Sequence, residues 1–247
     1  MTYVRDPDDP RLTRFDVRRD VELRREGRLL CEGPLVVRRL IDGPMTVEAV
    51  LVAERKAAEF ADAPGEVLVV PDDLLQRAAG FKFHRGVLAI GRGDVRPGLP
   101  DEGPVLALAG VEDAENVGSL IRLAAGFGCS GVLLGPGCHD PLYRRVIRVS
   151  MGHALTLPLY HTVDLAAALP SLPGPSVAAV LADDAVPLSA RPPGLGTLVV
   201  GNEAHGVPAD VAAACDVRAI VPMAGGVDSL NVAVAAGIFL HHLTAQP

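Results

Sequence analysis

Three short stretches combine glycines, amides and charged groups in patterns suited to ligand binding. In "EDAENVGSLIRLAAGFG", Asn116 stands at the start of a helical run, and asparagine is a good N-cap. Gly118, Ser119, Arg122 and Gly126 follow at helical spacings and predict a stripe of small residues holding one arginine. Val117, Leu120, Ile121, Ala124 and Phe127 form the opposite, apolar face. Arg122 in such a stripe asks for an anionic or polar partner; a plain surface salt bridge is the alternative. In "LVVGNEAHGVPADV", a strand ends at Gly201, and Asn202, Glu203, His205 and Gly206 precede a helix opened by Pro208. Glu203 can neutralise an arginine or fix a loop by accepting backbone N–H groups. His205 reads as a loop histidine, and no neighbour at fixed spacing completes a hydrolytic triad. In "VPMAGGVDSLNVAVAAGIFL", Gly225 and Gly226 make a tight turn, Asp228 or Ser229 can cap the next helix, and Leu230 and Asn231 occupy its first turn.

An acidic residue at a helix N-terminus already complements the dipole, which disfavours a phosphate there. A phosphate-free, preferably cationic ligand fits better, and an adenosyl sulfonium is one. Its adenine would lie against apolar strand ends while backbone groups at Val221, Met223 and Leu230 reach its edge. A plain capped core helix is the competing reading of this stretch alone. The literal GxGxxG of Gly126, Gly128 and Gly131 is a decoy. A dinucleotide fingerprint follows a strand and opens a helix, whereas these glycines close a helix and precede a strand.

The elements that must position these loops read as an α/β alternation. "VLALAGV", "GVLLG", "ALTLPLY", "SVAAVLAD", "GTLVVGN" and "VRAIVPM" are near-continuous apolar runs, as in a parallel sheet covered on both faces. In the front part, "LTRFDVRRDVELRREGR" reads as a polar helix and "GPLVVRRLI" as a helix with Pro34 near its start, while "VEAVLVA", "EVLVVP" and "GVLAIG" read as strands. The Gly- and Pro-rich "GRGDVRPGLPDEGP" reads as a linker. This divides the chain into a small α/β domain over 1–95, a linker over 96–104 and a larger domain over 105–247.

The formal net charge is −7, so global attraction to nucleic acid is not evident. It is unevenly spread: residues 1–100 hold 17 Lys+Arg and 17 Asp+Glu, leaving all of the net charge to the rest. Arginine runs such as "RFDVRR" and "VVRRL" are a plausible phosphate-contacting face, or simply a solvated helix face. Four widely spaced cysteines with no CxxC pair suit reduced thiols in the cytoplasm better than a disulfide scaffold or zinc site, and no metal is expected. No apolar run approaches a membrane span, and the start carries no apolar signal region.

Together the three loops resemble the three motifs of the SpoU/TrmH family of RNA ribose 2′-O-methyltransferases, in the SPOUT superfamily. "NVGSLIR" extending into "RVSMGHALTLPLY", "GNEAHG" and "VPMAGGVDSLNVAVAAG" stand in the family's order and distances across 105–247. Residues 1–95 more loosely resemble the family's N-terminal substrate-binding domain, through "GRLLCEGPLVVRRLI" and "FHRGVLAI". Ala114 replaces a usual proline before the asparagine loop, "RVS" replaces "RAS", and His153 precedes Ala154. The resemblance implies an α/β fold with a mostly parallel C-terminal sheet threaded into a deep trefoil knot. It implies S-adenosylmethionine as cofactor, a homodimer, and methyl transfer to an RNA ribose 2′-hydroxyl, ribosomal RNA being favoured over transfer RNA. Arg122 would activate or hold the reacting group, Asn116 would orient it, and Glu203, Ser229 and Asn231 would shape the pocket. Gly201, Val221, Met223, Leu230 and Asn231 would contact the cofactor. The rivals are a non-catalytic RNA-binding protein on the same scaffold, a nucleotide-dependent oxidoreductase and a base methyltransferase.

Overall fold

The computed structural model describes residues 1–182, 184–191, 194, 196–225 and 229–244. Gly226 and Asp228, named above for the turn and cap of the third loop, lie outside the described residues. The chain divides into a front unit, Met1–Asp94 with Pro141–Thr156, and a second unit, Val95–Asp140 with Leu157–Pro247. The sequence alone keeps Pro141–Thr156 with the rest of 105–247; spatially this stretch groups with the front.

The front unit contains β1 (Thr2–Tyr3), α1 (Asp20–Arg25), β2 (Arg28–Glu32), α2 (Pro34–Asp42), β3 (Thr46–Ala53), β4 (Glu66–Val70), α3 (Asp72–Ala79) and β5 (Val87–Arg92). Its sheet runs β1-β4-β3-β5-β2. β1, β4 and β3 are parallel, and β5 and β2 are added antiparallel. Pro34 opens α2, where its missing N–H removes no helical bond, and Val36, Val37 and Leu40 turn inward. The polar stretch expected to form one helix is broken into 3-10 turns at Pro10–Phe15 and Val17–Arg19 before α1. Asp16 breaks the stretch: its carboxylate accepts the N–H group of Arg18 at 2.9 Å, competing with a continuing helix. β2 has no strand signature in the sequence because its apolar run is only Leu29, Leu30 and Cys31 between two charged residues, too short to read by periodicity.

In the second unit follow β6 (Val105–Ala109), α4 (Ala114–Gly126) and β7 (Gly131–Leu134). Next comes α5 (Arg144–Val149), which belongs with the front unit. Then come β8 (Leu159–His161), α6 (Leu165–Ala168), β9 (Ser176–Ala179), β10 (Val186–Pro187), β11 (Thr197–Gly201), α7 (Ala209–Ala214), β12 (Val217–Ile220) and α8 (Val232–Thr244). The seven strands run β10-β12-β9-β11-β6-β7-β8, and every pairing is parallel. All residues of β6, β7 and β11 are buried, the burial a continuous apolar run encodes. The "ALTLPLY" strand shrinks to Leu159–His161, because Ala154 and Leu155 lie in a 3-10 turn of the front unit. The order sets β11 between β9 and β6, and β12 between β10 and β9. In such sheets ligands collect outside the carboxyl ends of strands where the order reverses, here those of β9, β11 and β12. Among the described residues no helix is long and apolar enough to cross a membrane.

Candidate functional site

Each of the three loops leaves the carboxyl end of a strand in the second unit. After β6 the cap of α4 is Asp113, whose Oδ1 accepts the N–H groups of Glu115 and Asn116 at 2.8 and 2.9 Å. This corrects the expectation from sequence, which gave the cap to Asn116. With its backbone N–H taken by Asp113, Asn116 has its side chain available for other partners in the first turn. After β12 the cap of α8 is Asn231, whose Oδ1 accepts from Ala233 N at 2.9 Å and Val234 N at 3.3 Å. The sequence pattern placed Asn231 inside the helix and pointed to Asp228 or Ser229 for the cap.

The loop after β11 is closed on itself. Asn202 and Gly206 exchange two backbone hydrogen bonds, 3.0 and 2.9 Å, and Gly206 has φ 69°. The Asn202 side chain braces the turn, accepting from Ala204 and His205 N–H groups and donating to Gly110 O at 2.7 Å. A Cβ on Gly201 would sit 2.1 Å from the Gly206 carbonyl carbon, so the strand can end there only in glycine. This tight loop holds Glu203 toward α4.

The loops meet through side chains. Asn116 Nδ2 donates to Glu203 Oε1 at 2.8 Å, and Asn231 Nδ2 donates to Asn116 Oδ1 at 3.0 Å. The directions are fixed at both ends. A carboxylate can only accept, and the N–H groups of α8 can only donate. Both amides must therefore orient as they do, and a single chain of hydrogen bonds runs from Glu203 through Asn116 and Asn231 into the first turn of α8. Asp113 N also approaches Glu203 Oε1 at 3.4 Å.

Beside this chain lies a cavity of about 690 Å³, within the range of small-molecule and cofactor sites. Gly201, Glu203, Val221, Met223, Ser229, Leu230 and Asn231, all singled out from sequence, line it. Val200, Ala235 and Phe239 give it apolar walls. Sequence reasoning missed the Ala179–Ala182 side, at the end of β9, and Arg218 on β12, which pairs with Asp184. The signal for the first was available, since "SVAAVLAD" reads as a strand and ligands gather at the carboxyl ends of such strands. The brace Asn202 was also legible as an asparagine leaving a strand with a glycine four residues on. Backbone at Val221, Met223 and Leu230, apolar walls and an acidic edge suit a nucleoside-bearing cation, so the lining fits the adenosyl sulfonium.

Arg122 stands apart. It is exposed on α4, does not line the cavity, and makes no hydrogen bond or ion pair among the described residues. Ser119 is half-buried and Gly126 exposed on the same helix, but Gly118 is buried, so the expected stripe is narrower than its spacing suggests. Val117, Leu120, Ile121 and Ala124 form the buried face as expected. His205 is exposed on the cavity rim. The four cysteines are free, and burial pushes the thiols of Cys129 and Cys215 up to about 11, which leaves them protonated and unreactive at neutral pH. Among the described residues no cluster of His, Cys, Asp or Glu could hold a metal ion.

Residues 103–241 match the family model described as SpoU rRNA Methylase family. An uncharacterized tRNA/rRNA methyltransferase of Mycobacterium bovis is 35% identical over 98% of this chain and 91% of its own length. A 23S rRNA (guanosine-2′-O-)-methyltransferase of Ralstonia nicotianae is 31% identical over 78% of this chain and 84% of its own. Among solved structures, an AdoMet-bound rRNA methyltransferase from Sinorhizobium meliloti superposes with a TM-score of 0.83 at 25% identity, covering 98% of this chain and 97% of that one.

Proposed function

Because this chain belongs to the SpoU rRNA methylase family, we propose that it methylates a ribose 2′-hydroxyl of ribosomal RNA, holding its methyl donor in the three-loop cavity. It is an S-adenosylmethionine-dependent RNA methyltransferase. The observation that carries the site assignment is the hydrogen-bond chain Glu203–Asn116–Asn231 along the cavity edge. The Ralstonia relative's ribose specificity supports the 2′-hydroxyl and ribosomal RNA over transfer RNA.

When bound, the cofactor supplies a methyl group activated by its sulfonium. The chain's own work is placement, which can lower a barrier by about 7–11 kcal/mol in favourable cases. Gly201, Val221, Met223 and Leu230 hold the cofactor through backbone and apolar contact. Glu203 and the helix cap fix Asn116 and Asn231 in one amide orientation each, so the cavity edge is organised before RNA arrives. Ser229 supplies a hydroxyl at the same edge. The Arg122 guanidinium, a bidentate donor suited to phosphate, holds the adjacent phosphate and stabilises the developing alkoxide, whose proton passes to water.

Arg122 does not line this cavity within its own chain, which supports a homodimer in which α4 meets a second copy. The bare surface at Gly126, where a Cβ would meet nothing within 4 Å, suits close approach there. The knotted threading, a cytoplasmic location and substrate selection by the front unit belong to the same reading. The test is incubation with methyl-tritiated S-adenosylmethionine and total RNA. Label in acid-precipitable RNA is expected, and its absence under saturating cofactor overturns the reading.

A further inference from the structure

We propose that the front unit carries a single-stranded RNA subsite, in which Arg85, Arg144 and Arg148, gathered on the buried Glu32, hold backbone phosphate while Phe81 stacks on a neighbouring base. This rests on the RNA-methyltransferase reading and deepens it.

Glu32 ends β2 with its side chain 3% exposed. Arg144 Nη1 lies 2.8 Å from one carboxylate oxygen, and Arg148 Nη1 and Arg85 Nη1 lie 3.4 and 3.9 Å from the other. One bidentate guanidinium is enough to pair a buried carboxylate. Three crowd like charges together and leave a positive surplus, even counting Asp20, whose carboxylate accepts the Arg144 backbone N–H at 3.1 Å. The surplus points outward: the side chains of Arg85 and Arg148 are 53% and 38% exposed. Three guanidinium groups bring roughly fifteen N–H donors to a carboxylate that accepts about four. An anion with several oxygens, such as a phosphate of a nucleic-acid backbone, takes up both the charge and the donors.

The cluster is built rather than incidental. Gly33, with φ 90°, lies under the Arg85 stem, and a Cβ there would come within 3.0 Å of Arg85 Cδ. The same loop that delivers Arg85 presents Phe81, which is 41% exposed. Phe83, 3% exposed and part of the front core, braces Phe81 edge-on with ring centroids 5.5 Å apart. Lys82 and His84 are exposed between and beside these rings. A presented aromatic beside exposed cations is the equipment for unpaired nucleotides, whose base faces are open; in a duplex those faces are stacked away.

The experiment is fluorescence anisotropy on the full-length chain with a labelled oligouridylate and an RNA duplex of equal length, over a salt series. Expected for Arg85→Ala and Arg148→Ala is several-fold weaker oligouridylate binding and a log–log salt slope reduced by about 0.7 for each phosphate no longer held. Phe81→Ala should weaken binding about tenfold and leave the salt slope unchanged. S-adenosylhomocysteine affinity and Tm should stay at wild-type values in all three. Wild-type affinity for oligouridylate in the variants overturns the proposal, as does an equal loss on the duplex. Methyl transfer by the wild-type chain to total RNA is measured alongside. If that activity is present while the variants bind normally, the subsite is wrong and the enzymatic reading stands; if the wild-type chain transfers nothing, the enzymatic reading itself fails.

Discussion

Asn231 meets two demands with one amide: its oxygen caps α8, and its nitrogen holds Asn116. The two can be separated. Asn231→Ala loses both, and should lower stability by about 1 kcal/mol through the cap and cripple methyl transfer. Asn231→Asp keeps an acceptor for the cap but can no longer donate to Asn116, so it should melt near wild type while turnover falls about 100-fold through misplacement. Thermal melting and single-turnover methylation check the pair; normal turnover in Asn231→Asp would remove the amide chain from the mechanism. Arg122→Ala, at an exposed position with no partner among the described residues, should abolish transfer while calorimetric S-adenosylhomocysteine binding stays nearly intact. Near-normal turnover would remove Arg122 from catalysis. Gly201, Asn202, Glu203, Gly206 and Asn231 of the cavity lining were legible as types, because amides, glycines and a carboxylate at strand ends have few other uses. Their division of labour was not. Asp113 competes with Asn116, and Asn231 with Ser229, within a few positions, and all are good caps. Only the three-dimensional meeting of the loops decides which side chain is left to bridge them.

At the scale of elements, the sheet was legible where burial is complete on both faces, as in β6, β7 and β11, and illegible where elements are two residues long, as in β1 and β10. The start of β12 is stapled to β9 by Asp216, whose Oδ2 accepts both the N–H and the hydroxyl of Ser176 at 2.7 and 2.8 Å. The Ser176 backbone N–H, followed by its hydroxyl, holds the Asp216 carboxyl below the usual carboxylate range. A depressed folded-state pKa contributes stability that is present above the ordinary carboxylate pKa and is lost as pH falls through the depressed value. Asp216→Ala should therefore cost about 1 kcal/mol at neutral pH, with the gap to wild type steady down to about pH 5 and closing below about pH 4. Urea unfolding across that range checks it; a gap that widens on acidification would contradict the staple.

At the scale of the molecule, the least legible feature is that the chain leaves the second unit after β7 to contribute α5 to the front unit. Its motif residues place "RVSMG" with the catalytic stretch in sequence, and periodicity cannot report which core a six-residue helix joins. Val146 and Ile147 of α5 are fully buried, and Arg144 pairs with Glu32 of β2. A fragment of residues 104–247 would strip the cover from that helix. It should melt well below the full-length chain, or aggregate, so loss of RNA binding in it would not isolate the front unit's role. A cooperative melt at the full-length temperature would show that α5 does not depend on the front unit.

The central claim is that the Glu203–Asn116–Asn231 cavity serves methyl transfer to a ribose oxygen. Its most direct test is mass spectrometry of nucleosides from ribosomal RNA incubated with the chain and S-adenosylmethionine carrying a deuterated methyl. A single labelled 2′-O-methylnucleoside, formed about 100-fold more slowly with Asn231→Asp, is the predicted result. Label on a base, or the same labelled nucleoside formed at the wild-type rate by the variant, would contradict it.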